Sequence, residues 1–352
     1  MTTKSKNTNL NRAGKSKQDE WYTQYEDIQR ELNHYTEQFY GKTVLCNADD
    51  PYESNFCKFF MRNFNYLHLK RLICTSYSGS PVIGRQMSLF DDEGEIVTAE
   101  HGYVIDITEI PMKNGRGVSD EDIDRLLHRK RKGVKRLVGN GDFRSAECIE
   151  YLKQADIVCT NPPFSLLREY IGQLIEYDKK FLIIGTQNAV TYKEVFPLIK
   201  DNKVWWGAGD CVRWFIVPSE TTKKTKLNAM GETIAEGDRS RWWTNLDVKQ
   251  RHEDLVLYKH YSPEEYEQYD NYDAINVNAT TDIPMDYNGL MGVPITFIDK
   301  YNPDQFEIVG LIAGNIKGLA GMESKTGKNG PYIGGKLKYG RVIIRKKVPH
   351  ED

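Results

Sequence analysis

Short apolar runs alternate with stretches of helical periodicity over residues 42–200. "KTVLCNA", "LKRLICTSY", "DIVCTNPPF" and "KKFLIIGTQ" are dense in β-branched and apolar residues and predict buried strands, and "VKRLVGNGDFRS" supplies another strand end. Between them, "SNFCKFFMRNFNYL", "AECIEYLKQ" and "SLLREYIGQLIEY" carry apolar residues at helical spacing. In the last of these Leu167, Ile171, Leu174 and Ile175 share a face, behind a predicted N-cap at Ser165. Further upstream, "DEWYTQYEDIQRELNHYTEQF" predicts an amphipathic helical region with Ile28, Leu32, Tyr35 and Phe39 near one face. Strands alternating with helices predict an α/β fold with a doubly wound, mostly parallel sheet and right-handed crossovers.

The pattern also divides the chain. Residues 1–18 are polar and basic and predict a disordered tail. Residues 19–200 predict the α/β core, interrupted at about 78–136 by a glycine- and charge-rich insertion with short β-like runs such as "YVIDITEI". Residues 201–352 hold five of the six tryptophans: Trp205, Trp206, Trp214, Trp242 and Trp243. This half predicts the remaining core strands merged with a recognition region, and the adjacent tryptophan pairs predict core.

One strand ends unusually. "ADIVCTNPPFS" stops at Asn161, Pro162, Pro163 and Phe164, because proline cannot continue a ladder. In an open α/β sheet such a turn lies at the carboxyl edge of the strands, where ligands bind. An amine conjugated to a π system is a poor nucleophile because its lone pair is delocalised. The Asn161 side-chain oxygen and the Pro162 carbonyl can each accept one of its N–H groups, which localises electron density on nitrogen. Proline rigidity holds both acceptors in place, Phe164 can stack on the ring, and a sulfonium methyl in line would complete the reaction. The plainer alternative is that the prolines end a strand and Asn161 bonds its own backbone.

"NPPF" resembles the catalytic motif of amino-methyltransferases that use S-adenosyl-L-methionine, in particular the N6-adenine DNA methyltransferases. "DEWYTQYEDI", "VLCNADDPYESNFCKFF", "GDFRSAECIEYLKQADIVCTNPPFS", "YDNYDAINVN" and "DYNGLMGVPITF" resemble the EcoRI-type adenine-specific methyltransferases, in that family's order. The resemblance implies a class I, Rossmann-like methyltransferase fold with a C-terminal DNA-recognition region, and methyl transfer to N6 of a flipped-out adenine in a restriction-modification or orphan setting. It implies Asn161, Pro162, Pro163 and Phe164 as catalytic residues. It implies Tyr22 and Thr23 at the methionine end of the cofactor, and Asn47, Ala48, Asp49, Asp50 and Pro51 in the first cofactor loop. Asp142 and Phe143 fall at the cofactor adenine, with Asn161 again at the cofactor. From the residues themselves, Asp49 or Asp50 reads equally as a turn or as an acceptor for a cationic amine or ribose hydroxyl, and Asp142 equally as a helix cap. The first loop lacks a glycine-rich signature, as the family does. Thr75, Ser76 and Tyr77 stand where an acidic residue often holds the ribose.

Composition refines this picture. With 39% hydrophobic and 28% charged residues the chain predicts a soluble, cytoplasmic globular protein, without a secretory signal or a membrane-spanning run. The six cysteines form no C-x-x-C pair and predict reduced, mostly buried thiols; no metal is predicted. The net charge of −2 hides basic patches at 1–17, at 125–136 and near the C-terminus. From these, Lys15, Arg129, Lys130, Arg131 and Lys132 are the candidate DNA contacts. The implied partners are double-stranded DNA and, as an open option, a cognate restriction endonuclease that shares the site but not the complex. The chain is expected as a monomer or weak dimer with no membrane partner. Rival readings are an amine methyltransferase acting on RNA or protein glutamine, and a non-catalytic DNA-binding module on a methyltransferase fold.

Overall fold

The computed structural model describes residues 21–48, 50–77, 101–111, 118–124, 134–217, 223–313 and 322–347. Asp49, Lys15 and Arg129, Lys130, Arg131 and Lys132 lie outside the described residues. So do residues 1–18 and most of the expected insertion.

Along the first part of the chain come β1 (Tyr22–Thr23), α1 (Tyr25–Leu32), β2 (Thr43–Cys46), α2 (Asn55–Arg62), β3 (Arg71–Thr75), β4 (Tyr103–Ile107), α3 (Asp120–Asp124) and β5 (Val134–Arg136). Then follow α4 (Ala146–Gln154), β6 (Ile157–Thr160), α5 (Leu167–Glu176), β7 (Lys180–Thr186), α6 (Phe196–Lys200), β8 (Trp205–Trp206), β9 (Val212–Ile216), β10 (Thr225–Leu227) and β11 (Thr233–Thr244). The apolar runs explain the strands: "TVLC" and "IVCT" are buried at every position, as strands covered on both faces require. Serines start two of the helices. Ser54 accepts from the Cys57 N–H at 3.4 Å, and Ser145 accepts from the Cys148 N–H at 3.2 Å. Ile28, Leu32, Tyr35 and Phe39 are all buried.

The chain forms two compact units, Met1–Thr186 with Gly209–Leu246, and Gln187–Ala208 with Asp247–Asp352. The expected division at 200 falls inside 187–208, because β9 and β11 return to the first unit's sheet.

That sheet runs β1-β9-β11-β7-β6-β2-β3-β4-β5. Here the sequence expectation is corrected. Only β7, β6, β2 and β3 pair in parallel, and the strands outside them pair antiparallel, so the sheet is mixed rather than mostly parallel. Part of the expected insertion is also core: "YVIDI" is β4, paired antiparallel with β3, and β5 pairs with β4. Trp242 and Trp243 are fully buried in β11.

The six cysteines carry no disulfide, and all but Cys211 are buried. Cys46 of β2, Cys57 of α2 and Cys74 of β3 bring their sulfur atoms within 4.8 Å of one another. Burial pushes the Cys46 and Cys57 thiols up, so both act as small apolar packing groups.

The second unit holds a sheet of β12 (Ile275–Asn276), β13 (Met291–Pro294), β17 (Arg341–Lys346) and β14 (Phe306–Ile312), in that order. A further pair joins β15 (Tyr332–Ile333) to β16 (Lys336–Leu337). Tyr269, Tyr272, Ala274, Ile312, Ile333 and Ile343 pack together here. Two of the C-terminal basic residues are engaged within the unit: Arg345 pairs with Glu307 at 2.6 Å, and Arg341 Nε donates to Asn276 Oδ1 at 3.3 Å. Among the described residues no helix is long and apolar enough to cross a membrane.

Candidate active site

The strand β6 hands the chain directly to the Asn-Pro-Pro-Phe turn. Asn161 is 6% exposed, and its Nδ2 donates to the Trp21 carbonyl at 2.6 Å. Only the amino end of an amide can donate to a carbonyl, so this bond fixes the flip of the side chain. Asn161 Oδ1 therefore points the other way, buried and without a protein partner. The Pro163 carbonyl accepts from the Leu166 N–H at 2.9 Å, closing a 3₁₀ turn over Phe164–Leu166. Helix α5 consequently starts at Leu167 with Leu166 at the N-cap and no side-chain cap, which corrects the expected cap at Ser165. The half-buried Phe164 ring meets Phe215 of β9 edge-on, with centroids 6.0 Å apart.

Strand register assembles the rest. Leu45 pairs with Val158 and Cys46 with Cys74. Carried to the strand ends, Thr160, Asn47 and Thr75 stand side by side along the carboxyl edge, at the strand spacing of about 4.8 Å. Tyr170 Oη, from α5, donates to Asn47 Oδ1, so the amide is fixed with Nδ2 turned away. Asn47 Nδ2, Thr75 Oγ1, Thr160 Oγ1, Asn161 Oδ1 and Thr23 Oγ1 are all buried and lack a protein partner. Thr23 joins the same edge, since Asn55 Nδ2 at the start of α2 donates to its carbonyl at 2.8 Å. Each buried, unpaired polar atom costs about 1–3 kcal/mol, so five at one edge mark a cradle for a polar ligand. The set offers a donor at Asn47, an acceptor at Asn161 and three hydroxyls, which fits the ribose and amino-acid groups of a nucleoside cofactor.

Asp50 closes the first loop. Its Oδ1 accepts from the Tyr52 N–H at 3.0 Å and from Tyr103 Oη at 3.0 Å. Its carbonyl accepts from the Ser54 N–H at 2.7 Å, which delivers the chain to the Ser54 cap. Burial pushes the carboxyl up to about 6, against the lowering effect of these two donors. The protonated acid is thus favoured in the fold. Its contribution is fully present below the ordinary carboxylate range near 3.8 and is lost as pH rises through about 6. Keeping Asp50 ionised at pH 7 then costs up to about 3 kcal/mol. Asp50→Asn keeps the acceptor for Tyr52 and Tyr103, so the variant is expected to be more stable above pH 6 and equal to the parent near pH 4. Urea unfolding of both proteins across pH 4–8 measures this, and superimposable profiles would refute it.

Asp142 and Phe143 sit in the turn before α4. Arg144 engages both Asp142 oxygens, from its backbone N–H and Nε at 2.9 Å and from Nη2 at 2.7 Å, and holds the carboxyl below its usual range. Ser145, not Asp142, caps α4. Phe143 is buried, with its ring 4.9 Å from Tyr170, so it adjoins the Asn47 end of the cradle. Tyr22, Ala48 and Pro51 border the same edge, with Tyr22 and Pro51 buried. The sequence left unnoticed Trp21, Tyr170 and Thr160. Trp21 precedes the named Tyr22, yet its role is played by a backbone carbonyl, which no side-chain pattern signals.

The chain matches the family model described as "Adenine-specific methyltransferase EcoRI" over residues 9–347. It belongs to that family. It is 46% identical to the Type II methyltransferase M.EcoRI of Escherichia coli, over 99% of both chains. It is 36% identical to the Type II methyltransferase M.MgeORF184P of Mycoplasma genitalium, over 96% of this chain and 98% of that one. With the Type II methyltransferase M.MpnI of Mycoplasma pneumoniae it shares 33% identity over the same proportions. No solved structure matches the chain.

Proposed function

We propose that this protein is a site-specific DNA adenine methyltransferase, moving the methyl group of S-adenosyl-L-methionine to N6 of an adenine extruded from duplex DNA. The observation that carries this reading is Asn161, whose amide is locked by the Trp21 carbonyl so that a buried, unpartnered oxygen stands at the strand edge. Asn161 Oδ1 accepts one N6–H and the Pro162 carbonyl the other, drawing the nitrogen lone pair out of the ring. Both acceptors are set before the substrate arrives, so little reorganisation remains for the transition state. Phe164, braced by Phe215, flanks the extruded base.

Thr23, Asn47, Asp50, Thr75 and Phe143 are the residues that would hold the cofactor, which when bound supplies an electrophilic sulfonium methyl. Asp50 kept ionised against its burial suits an acceptor for a cationic amine or ribose hydroxyls. Asp142 enters this set only with its oxygens shared with Arg144.

We assign reading of the DNA sequence to the second unit. It holds a cleft of about 300 Å³ in which the Arg251 guanidinium lies 4.0 Å over the Trp205 ring, while its Nη2 donates to Asn202. An arginine plane on an indole is a platform suited to nucleic acid. Lys15, Arg129, Lys130, Arg131 and Lys132 are proposed as phosphate contacts on their charge alone.

Incubation with labelled S-adenosyl-L-methionine and unmethylated bacterial DNA, followed by digestion to nucleosides, tests the reading. Label in N6-methyladenine is expected. With RNA or protein offered in parallel incubations, label there and none in DNA would overturn the substrate, and no label in any of them would favour a non-catalytic binding module.

A further inference from the structure

A short hairpin stands at the open edge of the site. Strand β10 pairs with the start of β11, Thr225 with Ala235 and Leu227 with Thr233. The turn at residues 228–231 is locked: Asn228 Oδ1 accepts from the Met230 N–H at 3.0 Å and the Glu232 N–H at 2.9 Å. The Gly231 N–H bonds the Asn228 carbonyl at 3.1 Å, and Gly231 takes φ +79°. This rigid tip holds Leu227 67% and Met230 73% exposed.

The hairpin lies where the reaction is placed. Strand β11 pairs with β7 only as far as Ser240 opposite Thr186, so its residues 233–236 run on past the carboxyl end of β7. There Ala235 pairs with Phe215, whose ring meets Phe164. At the tip, Asn228 Nδ2 lies 3.5 Å from Gln24 Oε1. Gln24 in turn donates to the Trp214 carbonyl at 3.0 Å, three residues from Trp21, which pins Asn161. The strand leading to the tip is cationic. Lys224 is exposed, Lys226 Nζ sits 4.0 Å over the Trp214 ring, and Lys223 is 3.9 Å from Asp238.

Resting on the reading of this site as an adenine methyltransferase acting on duplex DNA, we propose that this hairpin enters the duplex at the target base pair. Met230, with Leu227 behind it, fills the space that the extruded adenine leaves, and Lys224 and Lys226 hold flanking phosphates. Three properties favour this occupant. Extrusion opens an apolar gap between stacked neighbours, and proteins wedge such steps with methionine and leucine side chains. The locked turn fixes the backbone beneath Met230, so only the rotamer freedom of the side chain remains to be lost on insertion. The lysines match the phosphate backbone in sign.

The experiment compares wild type with Met230→Ala and with the Leu227→Ala/Met230→Ala double variant. The DNA carries the site at which wild type deposits label. In one duplex the target adenine is paired with thymine; in the other it faces an abasic position, so that it is already loosened. Single-turnover methyl transfer is measured on both. On the paired duplex Met230→Ala is expected to be slower by about tenfold and the double variant by more. On the abasic duplex both variants should lie within about threefold of wild type. Equal rates for all proteins on the paired duplex would overturn the wedge. So would equal slowing on both duplexes, which marks damage to the site rather than loss of the wedge. If wild type itself labels no DNA, the underlying functional reading fails instead, a distinct outcome.

Discussion

Asn161→Ala is expected to lower methyl transfer by about a thousandfold or more, with only a modest fall in melting temperature as the Trp21 carbonyl loses its donor. The variant removes the oriented acceptor that distinguishes this turn, and loss of a single preorganised hydrogen-bonding group at a reacting atom typically costs a hundred- to a thousandfold. Here the same residue also anchors the Trp21 carbonyl, at 2.6 Å. Single-turnover kinetics at saturating cofactor and DNA measure the chemical step directly. Asn161→Asp separates the two roles, since it keeps an acceptor toward the substrate but loses the donor to Trp21. Intermediate activity in that variant, with full loss in alanine, is the expected pattern. An alanine variant within tenfold of wild type would remove Asn161 from the chemistry.

The second large effect is structural. Gly141 adopts φ +79°, and a Cβ there would stand 1.8 Å from the Ser76 carbonyl oxygen. The clash is with backbone, so no side chain can swing away. Left-handed conformation alone costs an alanine about 1–2 kcal/mol, and displacement of the turn adds to it. Gly141→Ala is expected to destabilise the protein by about 4 kcal/mol or more, a loss of the size reserved for strained backbone sites. It should also weaken cofactor binding, because the displaced turn carries Asp142 and Phe143. Gly139→Ala, two residues earlier, meets nothing within 4 Å and serves as the control, expected within about 0.5 kcal/mol of the parent. Urea unfolding of the three proteins decides the matter; equal stability of the two variants would refute it.

The parts of this molecule legible in its sequence are those governed by local chemistry. Proline stops β6 at Thr160, and periodicity places α4 at Ala146–Gln154. The chain does turn after Asp50, as Asp-Asp-Pro chemistry suggests, with Asp50 Oδ1 accepting from the Tyr52 N–H and the side chain buried. What periodicity does not encode is strand direction. "YVIDI" is a short apolar run that suits a strand of either direction, and only its partner Leu72–Thr75 decides that it is core and antiparallel. Likewise Ser165 has the right chemistry for a cap, yet the Pro163 carbonyl draws Leu166 into a tighter turn and moves the helix start past it. Long-range backbone contacts are the least legible of all. The bond from Asn161 to Trp21 joins residues 140 apart through an atom every residue possesses.

That bond also orders events during synthesis. Trp21 is positioned because β1 lies against β9, Tyr22 opposite Ile216, and β9 is made more than fifty residues after Asn161. A nascent chain that has completed β2, β3, β6 and β7 holds the whole Asn-Pro-Pro-Phe turn but no partner strand for its own N-terminal segment. Translation proceeds at about 5–20 residues per second, so for several seconds the ribosome carries the Asn-Pro-Pro-Phe turn with its asparagine unanchored. Fragments released early from the ribosome, or clipped ahead of β9, would therefore be silent toward the chromosome rather than loosely active upon it.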